Sequence, residues 1–374
     1  MKAIASRRGR GFFPLLGAGL LALAGLSPAH DQEAAEIAPK KSSFVILPII
    51  YYTPETGWGG GFGGLVTYRF GASKGKSRPS SMFFVAELTQ NKQYTINLKP
   101  ELYLKKETYI LTGNFEIKRY PTSFYGIGNN MPDEMEEEYT FRQTTFEISL
   151  QKRLWTKRNI FAGLQYGYHH FDFLKFDPAG QLISGSIFGT RGGTVSSLDF
   201  LARLDSRDNI FTPRTGNFFQ LALSFHGSFI GSDYHYTKLK LDFRKYFPVL
   251  ASHVLAVNTV FQASAGPTPF MSLPRLGGEN IMRGYYTGRF RDKILAAFQA
   301  EYRFPVWWRL GLAAFLGAGD VSDTLGHLRL ASFKLSAGWG IRFKVSSQEG
   351  ATIRLDFGYG KNCSGMYFTA NEAF

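Results

Sequence analysis

The sequence predicts an all-β fold, a transmembrane antiparallel β-barrel of sixteen strands, and three observations predict it. Apolar and polar residues alternate with period two through most of the chain, which is the signature of strands with two unlike faces. The alternating runs are about ten residues long, the length a tilted strand needs to cross a bilayer, against about five or six in soluble sheets. Long and short connections alternate between the runs, as they do where one end of a barrel faces outward and the other faces the periplasm.

The amino-terminal stretch reads separately. Lys2, Arg7, Arg8 and Arg10 precede an apolar run from Leu15 to Leu26, and Ser27-Pro28-Ala29 offers small residues for cleavage. Residues 1–29 therefore read as a secretory signal peptide, with an apolar run too short to span as a helix. Its four cations would leave +10 of the formal +14 on the remainder. Residues 30–43 read as a short periplasmic linker, and 44–374 as the barrel. Beyond residue 29 no window of about eighteen apolar residues occurs, which excludes a helical membrane protein. The secretion signal and the dispersed cations argue against nucleic acid as a partner. Outer-membrane lipids, lipopolysaccharide among them, are the expected neighbours.

The strands are expected at 44–54, 57–70, 82–90, 93–104, 107–118, 139–153, 159–172, 196–205, 217–230, 234–246, 252–264, 294–304, 308–319, 333–344, 351–360 and 366–373. In 234–246, Leu239, Leu241 and Phe243 alternate with Lys238, Lys240, Asp242 and Arg244. In 294–304, Phe298, Ala300, Tyr302 and Phe304 alternate with Gln299, Glu301 and Arg303. In 351–359, Ile353, Leu355 and Phe357 alternate with Arg354, Asp356 and Gly358. Charges of both signs at neighbouring inward positions suit a wet lumen. Aromatic residues near strand ends, such as Tyr120, Trp155, Tyr246, Trp307 and Trp308, suit interfacial girdles. The long gaps 119–138, 173–195, 265–293 and 320–332 all follow odd strands and so face outward. Gap 265–293 is then the sixth outer loop.

Several motifs invite chemistry and do not support it. Gly59-Gly60-Gly61-Phe62-Gly63-Gly64 matches a dinucleotide fingerprint by letter, but a strand rather than a helix follows it. His169 and His170 are adjacent on a strand and point to opposite faces, so they cannot share a metal. Ser224 and His226 come nearest to a nucleophile and base, without a nucleophile elbow around the serine. Residues 131–138, MPDEMEEE, read as a solvated acidic loop face. Cys363, the single cysteine, has no disulfide partner. No enzyme activity, cofactor or metal is expected.

The stretch 276–292, LGGENIMRGYYTGRFRD, holds three arginines, two acids and four glycines between two membrane strands. Gly277, Gly278 and Gly284 permit positive φ, so it can fold back compactly. The planar guanidinium of Arg283 suits a bidentate carboxylate pair. Here the chain resembles the BamA/TamA-type outer-membrane assembly superfamily, the bacterial surface antigen family, over roughly 44–374. Met282-Arg283-Gly284-Tyr285 looks like that family's lumen loop tip, and Glu301, which period two places inward, matches the wall acid that faces it. Residues 204–209, LDSRDN, continuing through Pro213 to Gly216, resemble the family's periplasmic turn, and 353–358, IRLDFG, its penultimate strand. The resemblance implies a sixth outer loop folded into the lumen with Arg283 on Glu301. A second family acid is expected on the following strand, where Gly317 stands instead, so Asp320 substitutes for it or Arg283 relies on Glu301 alone.

Such assembly proteins carry periplasmic POTRA repeats, and residues 30–43 cannot form one. The expected function is therefore that of a short, POTRA-less member. It would assist insertion or translocation of outer-membrane or surface proteins, with a separate periplasmic partner delivering clients. The alternatives are a passive or anion-selective channel lined by Lys238, Lys240, Arg303, Arg342 and Arg354, or a structural surface barrel.

Overall fold

The computed structural model describes residues 42–53, 57–69, 78–345 and 350–374. The expected signal peptide, most of the linker and residues 54–56 lie outside them. Sixteen strands form one antiparallel sheet in chain order: β1 (Ser42–Thr53), β2 (Gly57–Tyr68), β3 (Ser80–Thr89), β4 (Tyr94–Leu104), β5 (Tyr109–Phe124), β6 (Glu137–Trp155), β7 (Ile160–Phe176), β8 (Gly193–Asp205), β9 (Gly216–His226), β10 (Tyr236–Pro248), β11 (Val254–Ala265), β14 (Ile294–Trp307), β15 (Leu310–Ser322), β16 (Lys334–Lys344), β17 (Thr352–Gly360) and β18 (Cys363–Ala370). Two further strands, β12 (Arg275–Leu276) and β13 (Phe290–Arg291), pair with each other inside the 266–293 loop. Among the described residues there is no α-helix.

The sheet curls on itself. Arg203 on β8 reaches Glu101 on β4 at 3.2 Å, and residues of the 266–293 loop touch β5, β15 and β17. Its two edges are β1 and β18, and no ladder joins them among the described residues. Inward and outward positions alternate as period two requires. On β14, Gln299, Glu301 and Arg303 are buried, while Phe298 just before them is 46% exposed on the lipid side. On β17, Arg354 and Asp356 are buried inward with Leu355 facing out.

Several strand ends differ from expectation by a few residues, and three places show a local reason. β5 and β6 run on past the expected loop boundary, because Pro121, inside the expected 119–138 gap, pairs with Thr140 in an extended hairpin. β9 stops at His226, not 230; Gly227 starts a 3-10 turn closed by Gly231 at φ +80°. β18 lies three residues earlier than expected. Asn371 turns left-handed at φ 62°, its N–H donates to the Thr352 carbonyl, and 371–374 leave the ladder. Phe374 then packs inside against Tyr246, Val254 and Ala256.

Candidate functional site: a plugged lumen

The site begins with backbone freedom in the 266–293 loop. Gly277, Gly278 and Gly284 all adopt positive φ, at +108°, +92° and +108°. At Gly277 a methyl group would lie 2.1 Å from the Tyr286 carbonyl oxygen, and at Gly284 2.6 Å from the Tyr359 carbonyl carbon. Only glycine allows the loop to close on itself and its tip to lie against β17. The β17 side is built to match, because Gly358 meets the Gly284 backbone where any Cβ would clash. Leu276, Met282, Tyr285 and Phe290 bury themselves with Leu295 and Val321 of the wall, so the loop carries its own small core into the lumen.

That packing delivers Arg283 to a fully buried position flat over the Phe315 ring, 3.6 Å from its centroid. Arg283 Nη2 lies 2.6 Å from Glu301 Oε2, and Nη1 lies 2.6 Å from Asp356 Oδ2. The Asp356 contact is an aligned hydrogen bond, whereas the Glu301 contact is an ion pair without that alignment. Around them, Arg303 and Arg342 reach Glu301, Arg342 and Arg354 reach Asp356, and Glu372 joins Arg303 and Arg342. Four arginines thus share three carboxylates in one buried network. Leaving any of these carboxylates alone there would cost far more than the pairs gain, so the network fixes position more than it adds stability.

The second acid on Arg283 is therefore Asp356, a residue expected on an inward face but not as its partner. Neither alternative for the missing acid holds. Beside Gly317 the space is taken by Ser336 and Met282, where a Cβ would meet Ser336 Oγ at 2.7 Å. Asp320 is fully buried elsewhere, accepting hydrogen bonds from Asn129 and Ser332. It ties two outer loops together and does not touch the tip. Tyr285 extends the docking: its hydroxyl donates to the Leu335 carbonyl and accepts from the Lys361 N–H, each at 3.0 Å. Burial raises the Tyr285 phenol above its usual range, so it remains a neutral donor. Tyr367 on β18 accepts from the Gly284 N–H at 3.0 Å. The tip is thereby fastened to the last three strands.

The acidic 131–138 stretch is less solvated than expected. Arg289 of the plug binds Asp133 at 2.6 Å and the Met131 carbonyl at 2.7 Å, and Glu137 accepts from the Leu182 N–H. His169 and His170 bind separate acids, Glu147 and Asp172, each at 3.3 Å. His226 bonds the Ser196 carbonyl and stacks on Tyr236, so Ser224 gains no base from it. Among the described residues no group of three potential ligands could hold a metal.

At the opposite mouth, the 206–215 turn crosses the interior. Phe211 packs with Leu65 of β2 and Ala351 beyond β16, and Thr212 donates to the Gly350 carbonyl at 3.0 Å. Ile210 lies against the Tyr103, Ile110 and Phe161 cluster. Asp205, wholly buried, gathers Arg78, Arg203 and Arg207. The sequence marked this turn by resemblance alone; its bridging contacts left no local signal.

Residues 69–374 match the Omp85 superfamily domain. Three solved structures share the fold: BamA from Haemophilus ducreyi lacking POTRA domains 1–3 (TM-score 0.55, 13% identity, covering 88% of this chain and 70% of that one), CdiB from Acinetobacter baumannii (0.56, 12%, 89% and 60%) and CdiB from Escherichia coli (0.56, 11%, 88% and 62%). The chain thus spans less than two thirds of either CdiB chain. No curated protein sequence matches it. Because the domain match covers most of its length, the chain belongs to the Omp85 superfamily and is an outer-membrane β-barrel of that type.

Proposed function

We propose that this barrel assists the insertion or translocation of outer-membrane or surface proteins, acting at the junction of β1 and β18. One observation carries the reading: the sheet leaves both of those edges without a described ladder, and the plug tip is fastened to β17 and β18 beside one of them. An unpaired strand edge is a template for an incoming strand. The tip holds the flanking strands in place while that edge is in use. A separate periplasmic partner supplies clients, residues 1–29 act as the export signal, and lipopolysaccharide surrounds the outer loops. Arg283, Gly284, Tyr285 and Glu301, with Gly277 and Gly278 supporting, serve as the positioning device, and no residue acts as a catalyst.

A passive anion channel is the weaker reading. Of its five expected lining cations, Arg303, Arg342 and Arg354 are bound to carboxylates. The test is folding of a urea-unfolded outer-membrane barrel client into liposomes with and without the reconstituted protein. Accelerated client folding, reduced by Arg283→Ala, is the expected result. Unchanged client folding together with steady chloride-selective conductance would replace this reading with the channel.

A further inference from the structure

A cavity of about 280 Å³ lies between the plug and the wall. The wall contributes Lys238, His169, Gln143 and Gln262, and the plug contributes Arg275 and Thr287. The cations in it differ from seven arginines elsewhere in the barrel. Arg203, Arg207, Arg244, Arg283, Arg303, Arg342 and Arg354 each hold a carboxylate. Lys238 donates to the Ser272 carbonyl at 2.8 Å, and among the described residues neither Lys238 nor Arg275 makes an ion pair. Arg275 also sits directly opposite Arg291 in the β12–β13 ribbon, and like charges in that position repel. Arg291 is partly compensated by the Phe124 and Phe270 rings and by two carbonyls. Of the acids on the neighbouring wall, Asp199, whose charge reaches Lys238, is held by Gln165, and Glu147 is held by Asn114 and His169.

We infer that this cavity binds a phosphate-sized oxyanion, held by Arg275 from the plug and Lys238 from the wall. An arginine fork and an ammonium are the usual partners of a tetrahedral oxyanion, and the two glutamines and Thr287 can donate to its remaining oxygens. The anion would supply the charge the ribbon lacks and join plug to wall. The recognised unit is the phosphate group, whether free or carried on a small solute.

The inference does not depend on client insertion, and its test does not use it. Protein folded in detergent micelles would be dialysed against labelled inorganic phosphate, and in a parallel arm against glycerol 3-phosphate, at constant ionic strength in chloride. One phosphate group per chain is expected, with affinity lowered about tenfold or more by Arg275→Gln or by Lys238→Met. Lys157→Met, in an exposed turn, should leave binding unchanged. Binding in both arms assigns phosphorylated solutes as well as the free ion, and binding in the first arm alone assigns the free ion. Absence of saturable binding at millimolar phosphate, or equal binding by all variants, overturns the site. Should a variant fail to fold, protease protection of 266–293 by phosphate in the unaltered protein decides the matter, and lack of protection overturns it.

Discussion

Arg283 sits between two carboxylates supplied by strands far apart in sequence, which makes the tip a three-body problem at the level of single residues. Removing one partner from a buried ion pair costs about 3–5 kcal/mol where nothing else compensates the survivor. Here Arg303, Arg342 and Arg354 remain, so Arg283→Ala should cost less and show itself chiefly as a loosened loop. Asp356→Ala should raise protease cleavage within 266–293 at least as much as Glu301→Ala, since Asp356 holds the aligned hydrogen bond. Arg283→Ala combined with either should be little worse than Arg283→Ala alone, as expected of direct partners. Asp320→Ala should leave the tip protected and expose 125–136 and 323–333 instead. Strict additivity across these variants would remove the case for a coupled tip. Period two placed Glu301 and Asp356 on the inner face alike. Only three-dimensional register could show that Asp356, more than seventy residues after Arg283, takes the place sought at 317–320.

For the individual strand, the alternation of faces makes a sharp demand on each position. Leu355 faces lipid and Arg354 the interior, so Leu355→Arg places a charge in hydrocarbon at a cost of about 2–4 kcal/mol near midplane. Folding yield into liposomes should fall steeply for Leu355→Arg. Arg354→Leu should insert well and act through Asp356 and through the plug residues Glu279 and Asn280 that Arg354 also reaches, visible as plug cleavage. Equal yields would reverse the assignment of faces. Strand existence and facing were legible because the bilayer enforces period two along each crossing. Strand ends were less so. Outside the hydrocarbon that demand lapses, and β5, β6 and β7 continue as paired hairpins through residues that read as loop. At β18 the break comes from one left-handed Asn371, a conformation no alternation pattern registers.

The whole barrel is stapled at both mouths, by the plug at one and the 206–215 turn at the other. Phe211→Ala should remove about 3–5 kcal/mol of packing at the second staple. Unfolding by urea, followed by gel mobility without boiling, should show the loss. Planar-bilayer current should become noisier while the plug stays protease-resistant. Quiet current with unchanged stability would mean the turn does not brace the mouth. The sixteen-strand sheet was legible from counting crossings, but the relation of β1 to β18 was not, because an edge is defined by hydrogen bonds its own sequence does not encode. The bracing turn also bears on biogenesis. Its contacts reach back to Leu65 and forward to Gly350 and Ala351, and Asp205 just before it reaches back to Arg78, spans of more than a hundred residues in each direction. Closing such long loops is slow, and contacts of that range form late. Phe211 therefore stays accessible until strands from both halves of the chain have arrived, so an unfinished barrel displays a greasy tag to periplasmic quality control that a finished one conceals.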